Sequence, residues 1–312
     1  MARYECDLHT HSVRSDGNDT VLELIDHAAQ AGLKVLALTD HDVRPPVMVE
    51  ANSETVEVKA YANQKGVSFI GGIEYSCDTD VDDVHIVGLG CDFTQPDFLA
   101  VEQAMAKSKV DAYRKLTEVL TQNGILVDWK DVLRNADGSS RAEDAVQRKH
   151  IFETIASKGY TKTWQEAKLL VRDNPVYNIR REKIDPLEAI AIIRKSGGVA
   201  ILAHPHLIDA QIERNGRVID RETYIERLIE GGLMGIEAAY PYDKTSYKGT
   251  NTSEEIRQSI LRAYGERLPV ISGGSDYHAD GKKGVTNPRE LGEGGVTFDY
   301  FRANPLLSAL IK

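Results

Sequence analysis

Short apolar runs in this chain end, one after another, on a histidine or a carboxylate, and that repetition narrows the folds open to it. Val35-Leu36-Ala37-Leu38 leads to Asp40 and His41, Val67-Ser68-Phe69-Ile70 to Glu74, Val199-Ala200-Ile201-Leu202 to His204, and Pro269-Val270-Ile271 to Asp276 and His278. Runs of this length and β-branched character read as buried strands, and helical stretches separate them. Glu23 to Ala31 reads as a helix closed by Gly32. Asp185-Pro186-Leu187-Glu188 opens another with an N-cap, a proline at N1 and a glutamate at N3, running to about Lys195. Such alternation predicts a parallel sheet or barrel. The C-terminal ends of parallel strands converge on one rim, so the residues that follow these runs should meet there.

Six of the nine histidines fall in this pattern. His9 and His11 are two apart, which on a strand turns both side chains to one face, and Asp276 and His278 repeat the arrangement. His85 differs because it opens its apolar run. The stretch from Tyr75 to Val84 suggests a hairpin turning at Thr79-Asp80, which sets Glu74 directly opposite His85 with Cβ atoms about 5 Å apart. Imidazole with carboxylate suits divalent Zn, Mn or Fe, and no thiolate cluster competes for the role. Clustered divalent ions make water nucleophilic at neutral pH and stabilise charge on a phosphoryl group. His27, on the first helix, needs no more than solvent or a packing contact. Glu237 and Tyr240 follow the run Gly235-Ile236 and are further candidates for the rim.

The segment 98–177 contrasts with this pattern. It is strand-poor, and Val101, Met105, Tyr113, Leu116, Val119 and Leu120 recur at helical spacing, with Asn123-Gly124 as a C-cap. Further helices are expected over Trp129 to Arg134, Ala142 to Ser157 and Thr163 to Val171. The expected organisation is one barrel domain, 1–97 with 178–312, interrupted by a helical insertion. The net charge of −10 weighs against a long nucleic-acid groove, although bound cations would still draw an anionic substrate. No apolar run reaches the roughly 20 residues of a membrane helix. The start runs from Met1 straight into a motif at Asp7, leaving no room for a signal peptide. Cys6, Cys77 and Cys91 are odd in number and lack metal-type spacing, so reduced thiols in a cytoplasmic protein are expected. Oligomeric state is left open.

These residues resemble the polymerase-and-histidinol-phosphatase (PHP) family, in its small phosphoesterase branch. The carriers are DLHTHS at Asp7–Ser12, SDG at Ser15–Gly17, LALTDHD at Leu36–Asp42, GIEYS at Gly72–Ser76, HIVGLG at His85–Gly90, GGVAILAHP at Gly197–Pro205 and GGSDYH at Gly273–His278. The resemblance implies an α/β fold, a distorted (βα)7 barrel of PHP type with a helical insertion, and a trinuclear centre. It implies His9, His11, Glu74 and Asp276 on one metal, Glu74 bridging to a second held with His85 and His204, and Asp16, His41 and His278 on a third. Some members carry histidine where Asp16 stands. Asp7 and Asp40 would orient imidazoles from behind. The ions expected are up to three divalent metals, Mn2+ first, with Zn2+ or Fe2+ as alternatives.

In the insertion, Arg148-Lys149-His150 matches an Arg-x-His phosphate-contacting motif of the branch. Arg148 would clamp phosphate, and the insertion would lid the metal rim. His206 would touch substrate, and His206 or His278 would protonate the leaving oxygen. The implied reaction is phosphoester hydrolysis by a metal-bridging hydroxide on a small phosphorylated substrate, a 3′,5′-nucleotide bisphosphate or nucleoside monophosphate first. A cyclic sugar phosphate, a short oligoribonucleotide attacked from its 5′ end and histidinol phosphate follow. Outside that chemistry stand a C–N amidohydrolase and an inert metal-binding module.

Overall fold

The apolar runs form a single seven-stranded sheet whose spatial order follows the chain: β1 (Cys6–Asp7), β2 (Val35–Leu38), β3 (Ser68–Ser76), β4 (His85–Leu89), β5 (Val199–Leu202), β6 (Gly235–Ala239) and β7 (Val270–Gly273). The structure, a computed structural model, describes residues 4–311 apart from 52, 79, 136 and 215. Met1, Ala2 and Arg3, at the chain start, and Thr79, in the expected hairpin turn, lie outside the described residues. The sheet is nearly closed into a barrel. On its far side Leu8 N donates to Gly273 O (3.3 Å), and Thr10 pairs with Tyr277 in parallel.

Alternation along the strands divides the core in two. Val35 and Ala37 of β2 pack with Ile70, Val87, Leu89, Val199 and Ile201 on one face, whereas Leu36 and Leu38 pack with Leu24, Ile25 and Ala28 of the Val21–Ala31 helix on the other. That helix starts two residues before its expected first turn. Thr20 caps Glu23 N, and Glu23 reaches back to Thr20 N, a reciprocal cap that settles the boundary. Gly32 closes it at φ 79°, where a glycine avoids the Cβ penalty.

Six strands run parallel and β4 is antiparallel to both neighbours. The reversal explains His85: the start of an antiparallel strand lies at the same rim as the ends of the others. The expected hairpin register is corrected. Ser76, not Glu74, pairs with His85, and Glu74 pairs with Val87. The connection is no tight turn; Asp78 and Asp83 take positive φ, and Asp78 Oδ1 accepts from Asp80 N (3.0 Å). The slip is two residues, which keeps both side chains on one face, so Glu74 and His85 meet on the diagonal.

The chain divides into two units, Met1–Val101 with Ile184–Lys312, and Glu102–Lys183. The second is helical and has its own core of Leu116, Leu120, Val127, Val146, Ile151, Phe152 and Ile155. Its helices at Trp129–Val132 and Trp164–Arg172 are close to expectation, but the one expected from Ala142 begins at Arg148. Glu143 is drawn instead to Arg114 and to Trp129 Nε1 (3.2 Å), so tertiary contacts override a helix-forming stretch. Among the described residues, no helix is long and apolar enough to cross a membrane.

Candidate metal centre

Backbone pairing does not stop where the strands end, and this is what assembles the site. Thr39 N donates to Thr10 O (2.9 Å), Glu74 N to Asp40 O (3.2 Å), Ala203 N to His85 O (3.0 Å), and Asp276 N to His9 O (2.9 Å). Each bond ties one ligand-bearing loop to the next around the rim. Two glycines allow the approach. A Cβ on Gly274 would lie 2.2 Å from His9 Cβ, and one on Gly17 would lie 2.6 Å from His11 O. His204 and Asp276 have φ of 27° and 52°, strained values for residues with a Cβ, of the kind that recur at functional sites.

All nine candidate ligands come together. Glu74, fully buried, is the centre. Its Oε2 lies 3.1 Å from His9 Nε2, His11 Nε2 and His41 Nδ1, and its Oε1 lies 2.8 Å from His85 Nδ1 and 3.1 Å from His204 Nε2. One carboxylate thus divides five imidazoles between its two oxygens. Asp276 Oδ1 faces His11 Nε2 (3.1 Å) and His9 Nε2 (3.6 Å). On the outer side, Asp16 is half exposed, with Oδ1 3.0 Å from His278 Nε2 and Oδ2 3.9 Å from His41 Nε2. His41 therefore stands between two groups, one ring nitrogen turned to each. Three sets of donor atoms lie within mutual ligand reach: His9, His11, Glu74 and Asp276; His11, Asp16, His41 and His278; and His41, Glu74 and His85.

Donor chemistry fits divalent cations. His9 Nδ1 faces Glu237 Oε1 (3.3 Å) and His11 Nδ1 faces Ser15 Oγ (3.4 Å), partners that would hold the Nδ1 protons of the neutral rings and free both Nε2 atoms for a cation. Those two Nε2 atoms are 3.1 Å apart. Two nitrogens on one tetrahedral ion at about 2.0–2.1 Å would sit roughly 3.3 Å apart, close to that separation. Glu74 Oε2 and His41 Nδ1, both buried, have no hydrogen bond, although an orphaned buried polar atom costs about 1–3 kcal/mol.

Electrostatics agree. Burial works to lower the pKa of His9 and His11, but Glu74, Asp276 and, for His9, Glu237 outweigh it, holding His9 well above the ordinary value and His11 at about 10. Desolvation would raise Glu74 and Asp276, yet the surrounding imidazoles, and Arg289 beside Asp276, hold both well below the carboxylate range. His41 is taken to about 4, burial prevailing over Glu74 and Asp16. Protons held on His9 and His11 offset the buried carboxylates, a role that bound cations would take over.

The outer groups differ from expectation. Among the described residues, the hydrogen bonds of Asp7 and Asp40 go to loop groups and not to an imidazole ring. Asp7 accepts from Ser275 N (2.9 Å), Ser275 Oγ (2.6 Å) and Gly292 N (2.9 Å), and Asp40 from Ser12 N (2.8 Å), Ser12 Oγ (2.7 Å) and Ser15 Oγ (2.6 Å). Burial pushes Asp7 up to about 6 despite these donors. Glu237 performs the orienting role instead, facing His9 Nδ1 with one oxygen and accepting from His204 N (2.8 Å) with the other. Tyr240 OH donates to Asp276 Oδ2 (2.8 Å). Arg289, which pairs with the same oxygen, was not among the sequence candidates.

A cavity of about 260 Å3 opens on the cluster, walled by His41, His85, His204, Tyr240, Lys244 and Arg289 among others. His206 is not in its wall: its ring lies edge-on to Tyr242, and burial, with Arg221 nearby, lowers its pKa to about 4. Arg148, Lys149 and His150 stand at the start of the Arg148–Ser157 helix in the helical unit. Arg148 is exposed and lines a cleft of that unit with Lys168 and Arg172, Lys149 pairs with Glu153 (3.3 Å), and His150 Nδ1 accepts from Gln147 N (3.0 Å).

A sequence model described as the PHP domain matches residues 7–175. Among curated relatives, a 3′,5′-nucleoside bisphosphate phosphatase of Chromobacterium violaceum is 30% identical over 284 residues, covering 89% of this chain and 88% of the relative. A phosphoribosyl 1,2-cyclic phosphate 1,2-diphosphodiesterase of Eggerthella lenta is 28% identical over 87% of this chain and 93% of its own length. Among solved structures, a Bifidobacterium adolescentis protein predicted to be a metal-dependent phosphoesterase superposes with a TM-score of 0.67 at 25% identity, covering 96% of this chain and 95% of that one.

Proposed function

The chain belongs to the PHP domain family, and from that premise we propose that it is a divalent-metal-dependent phosphoesterase of small nucleotide-like substrates. A 3′,5′-nucleotide bisphosphate or a nucleoside monophosphate is the first substrate class. The observation that carries this reading is Glu74, a fully buried carboxylate that turns one oxygen to His9, His11 and His41 and the other to His85 and His204. That division is what a carboxylate bridging two cations requires.

The ligand sets proposed are His9, His11, Glu74 and Asp276; Glu74, His85 and His204; and Asp16, His41 and His278, with Mn2+ as the first choice of ion. Divalent ions bound there would lower the pKa of water and neutralise charge on phosphoryl oxygens. The protein's own contribution is positioning. Glu237 holds the His9 ring and the His204 backbone, Asp40 and Asp7 hold the loops, and the buried setting strengthens every charge interaction. Arg148 is assigned the phosphate contact on the family motif. His206 or His278 is the proposed source of the proton for the leaving oxygen. His278 turns Nε2 to Asp16 (3.0 Å) and Nδ1 to the Asp276 carbonyl (2.8 Å), and the His206 ring lies edge-on to Tyr242.

The cyclic sugar phosphate keeps second place, since a relative of similar coverage is named for that activity. The test is phosphate release by Mn2+-loaded protein across AMP, a 3′,5′-bisphosphate, a cyclic sugar phosphate, short RNA and histidinol phosphate. Turnover concentrated on the nucleotides and abolished by chelator is expected. Turnover that survives complete metal removal would overturn the mechanism, and silence on every phosphoester would shift weight to an untested phosphoester, then to the C–N hydrolase and the inert module.

A further inference from the structure

We propose that Arg289 is a positioning residue that fixes which oxygen of Asp276 faces the metal site. The inference rests on the ligand assignment above and goes beyond it to a residue in no motif. Asp276 has two oxygens with separate surroundings. Oδ1 faces His11 Nε2 (3.1 Å) and His9 Nε2 (3.6 Å), whereas Oδ2 accepts from Tyr240 OH (2.8 Å) and pairs with Arg289 Nη1. A carboxylate on a free χ2 can rotate or present both oxygens, but one held by two donors on Oδ2 offers Oδ1 alone.

The guanidinium is itself held. Its side chain is only 15% exposed, Nη1 lies 3.5 Å from Tyr240 OH, Nη2 lies 3.0 Å from His278 Nδ1, and Nη2 is 3.6 Å from Asp280 Oδ2. The planar fork thus spans Asp276 and His278, members of two different donor sets. The loop carrying it is anchored in turn. Lys244 donates to Pro288 O (2.8 Å) and to both oxygens of Glu293 (2.6 and 2.8 Å), binding the segment around Arg289 to the chain that follows β6. The φ of 52° at Asp276 adds reason for a clamp, because a strained backbone keeps its geometry only where its surroundings over-determine it.

A charge argument points the other way and makes the proposal testable. A guanidinium beside a cation site repels the cation, so if Arg289 acted only through its charge, its removal would tighten metal binding. If it acts by holding Asp276, removal weakens binding, and the loss of an outer group of this kind is typically about 10–100-fold. Mn2+ affinity and stoichiometry would be measured by calorimetry and elemental analysis on the intact protein, Arg289→Gln, Arg289→Lys and Tyr240→Phe, with circular dichroism as the check on folding.

The expected result is a loss of about 10–100-fold for Arg289→Gln, a smaller loss for Tyr240→Phe, and only partial rescue by lysine, which keeps the charge but not the fork. The kcat lost in Arg289→Gln should return as Mn2+ is raised, with KM for the ester unchanged. Unchanged or tighter Mn2+ binding in Arg289→Gln would overturn the proposal, as would a raised KM with normal metal affinity, which would make Arg289 a substrate contact. Failure of the wild-type protein to bind Mn2+ would overturn the metal assignment itself, an outcome distinct from any change confined to the variants.

Discussion

The two units of this chain handle charge in opposite ways. In the unit formed by Met1–Val101 and Ile184–Lys312, Asp7, His9, His11, Asp40, Glu74, His204 and Glu237 are each at most 2% exposed. In the helical unit, Glu102–Lys183, the buried side chains are almost wholly apolar, and the ion pairs, Lys107 with Asp111, Lys115 with Glu118 and Lys149 with Glu153, lie on the surface. Buried charge is tolerated only when paired or coordinated, so a unit that concentrates it has been shaped around something other than its own stability. Surface pairs are worth little and constrain little. Mutations should therefore separate into those that abolish chemistry and those that abolish only packing.

The largest effect should come from Glu74→Ala. Loss of the shared carboxylate should cut kcat by at least about a thousandfold, roughly 4 kcal/mol of barrier, with bound metal falling in parallel. Steady-state kinetics with elemental analysis checks this, and full turnover in the variant would break the contrast at its centre. Next, Leu120→Ala in the helical core should cost about 2–5 kcal/mol in denaturant unfolding while leaving Mn2+ stoichiometry untouched. Altered stoichiometry would mean that the helical core contributes to metal binding. Chelation should act on the other unit alone. Removing an ion present at a hundred times its Kd costs about 2.7 kcal/mol, and hydrogen exchange should show the change in the strands and not in the Arg148–Ser157 helix. The smallest effect is expected for Lys115→Ala, whose exposed pair with Glu118 should be worth no more than about 0.5 kcal/mol by thermal melt. A larger value would show that the surface pairs of the helical unit matter more than their exposure suggests.

Much of the sheet and the cluster was legible in the chain because both are periodic. Ile70, Gly72 and Glu74 alternate toward one face, and so do His85, Val87 and Leu89, so a two-residue error in hairpin register left the meeting of Glu74 and His85 intact. The helix starting at Arg148 was less legible. Ala142 to Gln147 has helix-forming residues, yet Glu143 there meets Arg114 and Trp129, partners remote in sequence that no local period shows. The contact with the His9 ring, expected of Asp7 or Asp40, falls to the rim candidate Glu237 for the same reason. Proximity in sequence to a histidine says nothing of which atom a carboxylate will reach.

The amino-acid sequence by itself determined the alternation of strands and helices, the nine donors at strand ends and the strand-poor helical segment between the two barrel-forming stretches, because these follow from side-chain type and local period. Only the tertiary structure decided that β4 runs antiparallel, that Glu74 divides five imidazoles between two oxygens, and that Arg289 grips Asp276. Those facts depend on where loops far apart in the chain come to rest. Hydrogen bonds across the rim, such as Asp276 N to His9 O, set that placement, and no local pattern encodes them.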